Sequence, residues 1–346
     1  MSEAATGTLW FVGNPSAIRA LQAAISADRL AHAYLFTGPP QVGKATLALW
    51  LAQTLLCEHR PAGAPSPCGT CRACLRIARG THPDVQTFSL ERQARDNDRA
   101  TASHELGIGT VREIVREIDL LPFEAERKVY IIKDADTLTE EAANSLLKTL
   151  EEPPSYATLV MVAAEATNLP ETIRSRCAVL RLHPVGHAEI EHLLRERVDL
   201  PPDQLARIVG LAVGRPGWAL QAASDPSLLQ THDENVAALL QALEGGAVAR
   251  LALAEKLGKR WTAGHRAQVY AALFDWLGYW RSVMRVAAGE KDPGLDEHQK
   301  AAAERLARHG VDATSRAAGR TLEAISQLDA NVNTRMAVET LLLDLP

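Results

Sequence analysis

The sequence predicts an α/β fold followed by an all-α region: a parallel sheet with helices on both faces, then two helical segments. Three observations carry this. Short apolar runs at 33–37, 129–132, 158–163 and 178–182 alternate with helical patterns in the first half of the chain. A G-x-x-x-x-G-K loop joins the first run to a helix. After about residue 184 strand signals cease, and stretches rich in Leu, Ala and Arg continue to the end.

Taken in order, the run Ala33 to Thr37 stops at Gly38-Pro39-Pro40, and Lys44 to Leu56 follows without a breaker. Val111, Ile114, Val115 and Ile118 have the i, i+3, i+4, i+7 spacing of a one-sided helix. Val129 to Ile132 leads through Lys133-Asp134-Ala135-Asp136 to Thr139, an expected N-cap for a helix ending at Glu152-Pro153-Pro154. A break near His183-Pro184 and another at Asp225-Pro226 divide the chain into 1–184, 185–224 and 225–346. The aromatic stretch Gln268 to Met284 reads as helical core or subunit contact, and Ala330 to Leu345 as an amphipathic helix.

Composition excludes several classes. With 47% hydrophobic and 23% charged residues the chain is an ordinary globular protein. A net charge of −5 without a long basic run argues against tight, sequence-independent DNA binding by this chain alone. The start, MSEAATGTLW, lacks a signal-peptide pattern, and no window reaches the apolar length of a membrane helix, so a cytoplasmic location is expected.

In the loop Gly38-Pro39-Pro40-Gln41-Val42-Gly43-Lys44, backbone N–H groups and the helix start face phosphates while Lys44 reaches the terminal ones. The hydroxyl that would bind Mg²⁺ is missing, because Ala45 follows the lysine. Thr46 lies one residue on, about 100° around the helix. Binding of ATP or ADP at Gly38, Gly43, Lys44 and Thr46 therefore stays open beside a plain strand-to-helix connection. Where a second metal-associated carboxylate should end the 129–132 strand, the residue is Lys133. Asp134 and Asp136 remain candidates for orienting water, or are polar loop residues.

Four of the five cysteines, Cys57, Cys68, Cys71 and Cys74, crowd into 57–74 as C-x10-C-x2-C-x2-C around a Pro- and Gly-bearing loop. Four thiolates suit a closed, structural, tetrahedral Zn²⁺, with an iron–sulfur cluster or free thiols as the other readings. His59 and His82 lie near but are not needed, and Cys177 reads as a small buried residue. Arg176, in Arg174-Ser175-Arg176-Cys177, is by position a surface ion-pair residue or an arginine that reaches a neighbour's phosphate.

Together, AHAYLFTGPP, the cysteine module, Thr81-His82-Pro83-Asp84, KVYIIKDADTLTEEAANSLLKTLEEPP and Ser175-Arg176-Cys177 resemble the AAA+ subunits of the bacterial DNA polymerase III sliding-clamp loader. Asn331-Val332-Asn333-Thr334-Arg335 is similar to a motif near the end of the family's helical collar. The resemblance implies an AAA+ P-loop domain at 1–184, a helical lid at 185–224 and a collar at 225–346. It implies that Arg176 is an arginine finger acting in trans on ATP held by an adjacent motor subunit. It further implies that Ala45, Lys133, Ala164 and Gly217 stand where motor subunits carry catalytic groups, with Arg215 displaced by two positions. The implied role is a non-hydrolysing stator in a five-subunit loader, with gamma/tau motor subunits and delta as partners and the clamp and primed DNA reached through the complex. Two other readings are a motor ATPase rescued by Thr46 and Asp134, and an independent zinc-module DNA-binding protein.

Overall fold

The computed structural model describes residues 9, 11–60, 65–96, 105–290, 294–329 and 332–346. The N-terminal decapeptide except Leu9, part of the loop between Cys57 and Cys68, and Asn331 of the collar-like motif lie outside the described residues. The chain forms two compact units, Met1–Val185 and Gly186–Pro346.

The first unit contains α1 (Pro15–Ser26), β1 (Ala33–Thr37), α2 (Lys44–Leu56), α3 (Arg72–Ala78), β2 (Val85–Phe88), α4 (Leu90–Asp96), α5 (Ile108–Ile118), β3 (Lys128–Ile132), α6 (Glu140–Glu151), β4 (Ala157–Val162), α7 (Glu171–Arg174) and β5 (Ala178–Arg181). Its five strands run parallel in the order β2-β3-β4-β1-β5. Successive side chains of a strand point to opposite faces, so Ala33, Leu35, Tyr130, Ile132, Leu159 and Met161 share one apolar cluster with Ile114 of α5 and Leu146 of α6. Tyr34, Phe36, Val129, Ile131 and Val160 are buried on the other face, where α2 contacts β1, β3 and β4. This is the predicted α/β architecture, a parallel sheet between helices.

Helix α6 begins where the sequence places it: the Thr139 hydroxyl accepts the Ala142 N–H at 3.2 Å. Glu140 and Glu141 occupy its first turn and Lys148 its last, the arrangement that suits a helix dipole. Strand β2 has no expectation in the sequence reading. It is short and, with Gln86 and Thr87 half-buried, lacks the continuous apolar run of the inner strands.

The second unit is wholly helical among the described residues: α8 (His187–Arg197), α9 (Pro202–Leu211), α10 (Pro216–Ser224), α11 (Ser227–Glu244), α12 (Gly246–Thr262), α13 (Arg266–Ala287), α14 (Glu297–Ala307), α15 (Gly310–Asp329) and α16 (Thr334–Asp344). The aromatic stripe is core: Trp276, Tyr279 and Trp280 of α13 are buried in one cluster with Leu239 of α11, Leu257 of α12 and Val338 of α16. Two of their polar ends are hydrogen-bonded, Trp276 Nε1 donating to Asn235 O at 2.9 Å and the Tyr279 hydroxyl to Gln299 O at 3.1 Å, whereas the buried Trp280 Nε1 has no acceptor among the described residues. Among the described residues no helix is long and apolar enough to cross a membrane.

Candidate functional site

The phosphate-type loop spans the gap from β1 to α2. Gly38 and Gly43 have φ of 135° and 104°, conformations that an L side chain resists. Gly38 has a second constraint, since a Cβ there would meet Leu182 O at 2.3 Å. Its N–H donates to Ala164 O at 2.9 Å. The loop is thus tied to the segments following β4 and β5 by backbone contacts of Gly38.

Its lysine turns inward. Lys44 Nζ donates to Gly38 O and to Pro39 O, the latter at 2.8 Å, so the ammonium is held by carbonyls of its own loop. Burial lowers its pKa to about 8, against the opposing pull of Asp136, Asp134 and Glu165. Ala45 brings no oxygen to this end of α2. Thr46 follows on the same first turn.

Around the loop the carboxylates are partly committed. Asp136 Oδ2 accepts the Ala164 N–H at 3.1 Å and thereby braces the chain after β4. Asp134 is exposed, with a left-handed backbone (φ 55°) at the turn after β3. Lys133, at the end of β3, lines a cleft of about 460 Å³ together with Leu49, Thr87 and Arg92. Three of the positions at which the family resemblance expects catalytic groups therefore carry a methyl group (Ala45, Ala164) or an ammonium (Lys133).

Arg215, two positions before the Gly217 that the resemblance sets at a catalytic position, is only 6% exposed. Its guanidinium lies over the rings of Trp218 and Phe274, 5.4 and 5.1 Å from their centroids, and its Nε donates to Ala212 O at 3.0 Å. Burial lowers its pKa to about 10, with Asp275 opposing. It is a packing residue of the helical unit.

At the other end of α2 lies the cysteine cluster. Cys57 is the C-cap residue of α2 and Cys71 the N-cap of α3. Gly69, with φ 70°, turns the chain between Cys68 and Cys71. The four Sγ atoms of Cys57, Cys68, Cys71 and Cys74 all lie within 4.8 Å of one another. A regular tetrahedron with Zn–S of about 2.3 Å has sulfurs about 3.8 Å apart, so a single zinc-sized ion fits this donor set. Backbone N–H groups are already aimed at the sulfurs: Cys68 N at Cys57 Sγ (3.3 Å), Cys71 N at Cys68 Sγ (3.3 Å) and Cys74 N at Cys71 Sγ (3.4 Å). Burial pushes the Cys74 thiol up, whereas for Cys68 the donors on Thr70 and Cys71 outweigh burial and bring it down to about 6. Glu58 and His59 also come within 4.8 Å of the Cys71 sulfur. Cys177 is half-buried against the sheet core, its thiol pushed up to about 12 by burial.

The Thr81-His82-Pro83-Asp84 segment has a role that sequence reasoning missed. Asp84, 1% exposed, accepts three backbone N–H bonds, from Phe123 (2.6 Å), Glu124 (2.9 Å) and Ala125 (2.9 Å). His82 Nδ1 accepts the Asp84 N–H at 3.1 Å, and Glu124 pairs with Arg76, with Arg72 at 3.8 Å and with His82 at 3.5 Å. The motif thus fastens α3, which carries Cys74, to the loop before β3. Gln53 of α2 adds a bond from its amide to Cys74 O at 2.8 Å.

Arg176 lies between α7 and β5. Its Nη2 donates to Glu151 Oε1 at 2.6 Å and its Nη1 to Thr172 O at 2.8 Å, with 34% of the side chain exposed.

Residues 13–186 match the family described as DNA polymerase III, delta subunit. The chain is 36% identical over 195 residues to DNA polymerase III subunit delta' of Bacillus subtilis (strain 168), covering 56% of this chain and 54% of that one. The delta' subunit of Escherichia coli (strain K12) is 36% identical over 200 residues, covering 58% and 57%. DNA polymerase III subunit tau of B. subtilis is also 36% identical, over 166 residues, covering 48% and 27%. The chain thus spans just over half the length of the delta' relatives it matches. The delta' and tau relatives of B. subtilis thus share the same level of identity with this chain. The chain belongs to the DNA polymerase III delta-subunit family, with delta-prime subunits among its relatives there.

Proposed function

We propose that this chain is the delta-prime stator of a bacterial DNA polymerase III clamp loader, which lacks ATPase activity of its own and supplies Arg176 in trans to a neighbouring motor subunit. What carries the reading is the loop at the start of α2: Lys44 is bonded to the carbonyls of Gly38 and Pro39 and followed by Ala45. Magnesium needs oxygen ligands there, and Lys133 at the end of β3 repels it further. Family membership supplies the context, with partners that include gamma/tau motor subunits and delta, and with the clamp and primed DNA met through the assembled complex.

In this reading residues 1–184 border a motor subunit, 185–224 form a lid-like helical segment, 225–346 enter the helical collar, and the protein works in the cytoplasm. Cys57, Cys68, Cys71 and Cys74 hold one structural Zn²⁺. With four sulfur donors the ion has no open position, so it would supply folding energy and no chemistry to ATP turnover. Arg176 places positive charge where a transferring phosphoryl group builds up negative charge, a contribution of about 10³-fold or more in related transfers.

Reconstituted complexes test this. Arg176→Ala should leave assembly intact while lowering DNA-dependent ATP hydrolysis at the adjoining motor site by about 10³-fold. Lys44→Ala should leave hydrolysis unchanged. Turnover by the isolated chain that disappears with Lys44→Ala would establish a motor subunit instead.

A further inference from the structure

We infer that Glu151 is the positioning residue for Arg176, an inference that rests on the trans-acting role given to that arginine above. A guanidinium is a planar group with five N–H donors, so contacts at two points set its orientation. Here the two points come from different elements. Thr172 O, on α7, accepts from Nη1, and Glu151 Oε1, on the last turn of α6, accepts from Nη2 at 2.6 Å, within the range of a charge-assisted bond.

Both supports are themselves fixed. Helix α6 is capped by the Thr139 side chain at one end and stopped by Pro153-Pro154 at the other, which sets the height of Glu151. The backbone of Arg176 is held by its own N–H bond to Ile173 O at 3.1 Å. A long side chain that would otherwise sample many rotamers is thereby aimed before any neighbour arrives. The hold is incomplete in a useful way. Nη1 also approaches the Ser175 hydroxyl at 3.4 Å, while among the described residues Nε–H and the second Nη2–H meet no acceptor. Two adjacent N–H groups can accept a phosphate in a bidentate manner.

Glu151 is 51% exposed and meets the arginine through one oxygen, so its carboxylate can be altered without opening the core. The test is a cycle of variants in the reconstituted complex, read as DNA-stimulated ATPase with kcat and KM separated. Glu151→Ala should lower kcat about 10-fold with KM unchanged. Glu151→Gln, whose amide oxygen can still accept from Nη2, should retain at least about half of the wild-type kcat. In an Arg176→Ala background Glu151→Ala should cost nothing further, because its only effect passes through the missing guanidinium.

Three results would overturn the inference: a normal kcat for Glu151→Ala beside an impaired Arg176→Ala, a further loss in the double variant, or a rate increase showing that Glu151 restrains the arginine. If Arg176→Ala itself hydrolyses at the normal rate, the trans-acting reading fails and this inference with it. Thermal midpoints of the Glu151 variants at the wild-type value show that a general loss of structure is not the cause.

Discussion

One helix carries two sites of opposite condition. At its start, α2 has the backbone of a phosphate loop, with Gly38 and Gly43 in positive-φ conformations, Ala45 after the lysine and Lys44 turned onto the loop's own carbonyls. Just past its end, Cys57 joins three other thiols in a set that is complete and supported by aimed N–H donors. The difference is between a loop whose backbone is kept beside an altered side chain and a donor set whose four sulfurs are brought together. In the proposed reading the missing hydroxyl weakens Mg²⁺ binding, because Mg²⁺ tolerates few substitutes for its oxygen ligands. The loop can survive as a structural joint all the same.

The cysteine end should give the largest effect. Cys74→Ser is expected to abolish metal binding, which in small zinc domains is worth about 10–16 kcal/mol, and to unfold the module. Metal analysis should give about one zinc per wild-type chain. A folded, metal-free wild type would remove the contrast between the two ends. Next comes Asp84→Ala, which strands the N–H groups of Phe123, Glu124 and Ala125 and should destabilise the first unit by about 3 kcal/mol in chemical denaturation.

Lys44 offers a smaller and pH-dependent effect. Its pKa falls from 10.5 to about 8 on folding, so between these values the unfolded chain binds more protons than the folded one. Stability should therefore rise with pH across that window relative to Lys44→Met, and the difference should level off below about 8. A flat difference would mean that the lysine is solvated and free to meet phosphate. Smallest of all is Thr46→Ala, expected to leave both stability and the ATPase of the complex within error. A measurable loss of nucleotide binding would show that the N-terminal end of α2 still works.

Much of this contrast was legible in sequence because it is local. Lys44 to Leu56 is a helix with the predicted bounds, Thr139 is the cap it was expected to be, and C-x2-C spacing brings thiols together whatever surrounds them. What escaped depended on distance along the chain. Asp84 reads as a polar loop residue until the backbone at 123–125, some forty positions later, is folded onto it. The packing of Arg215 was equally hidden, because nothing in its neighbourhood announces Phe274, which lies over it from α13. Glu151 belongs to a segment notable for its prolines, and its bond to Arg176 crosses from α6 to the turn after α7. Strand β2 was missed for another reason: an edge strand with half-buried polar residues gives no apolar run to read.

The close approach of Gly38 to Leu182 O bears on how such a loop can change over evolutionary time. Thr37 and Arg181 are partners in the β1–β5 pairing, and Arg176 precedes that same strand. The glycine therefore sets the spacing of the strand that follows the arginine. Substitutions at Ala45 or Lys44 can drift with little consequence for that spacing, whereas a side chain at Gly38 would push the two strand ends apart. Selection acting only on a neighbour's catalysis would then still preserve the outline of a nucleotide loop, and the surviving glycine would record a mechanical requirement in a place where sequence comparison reads a chemical one.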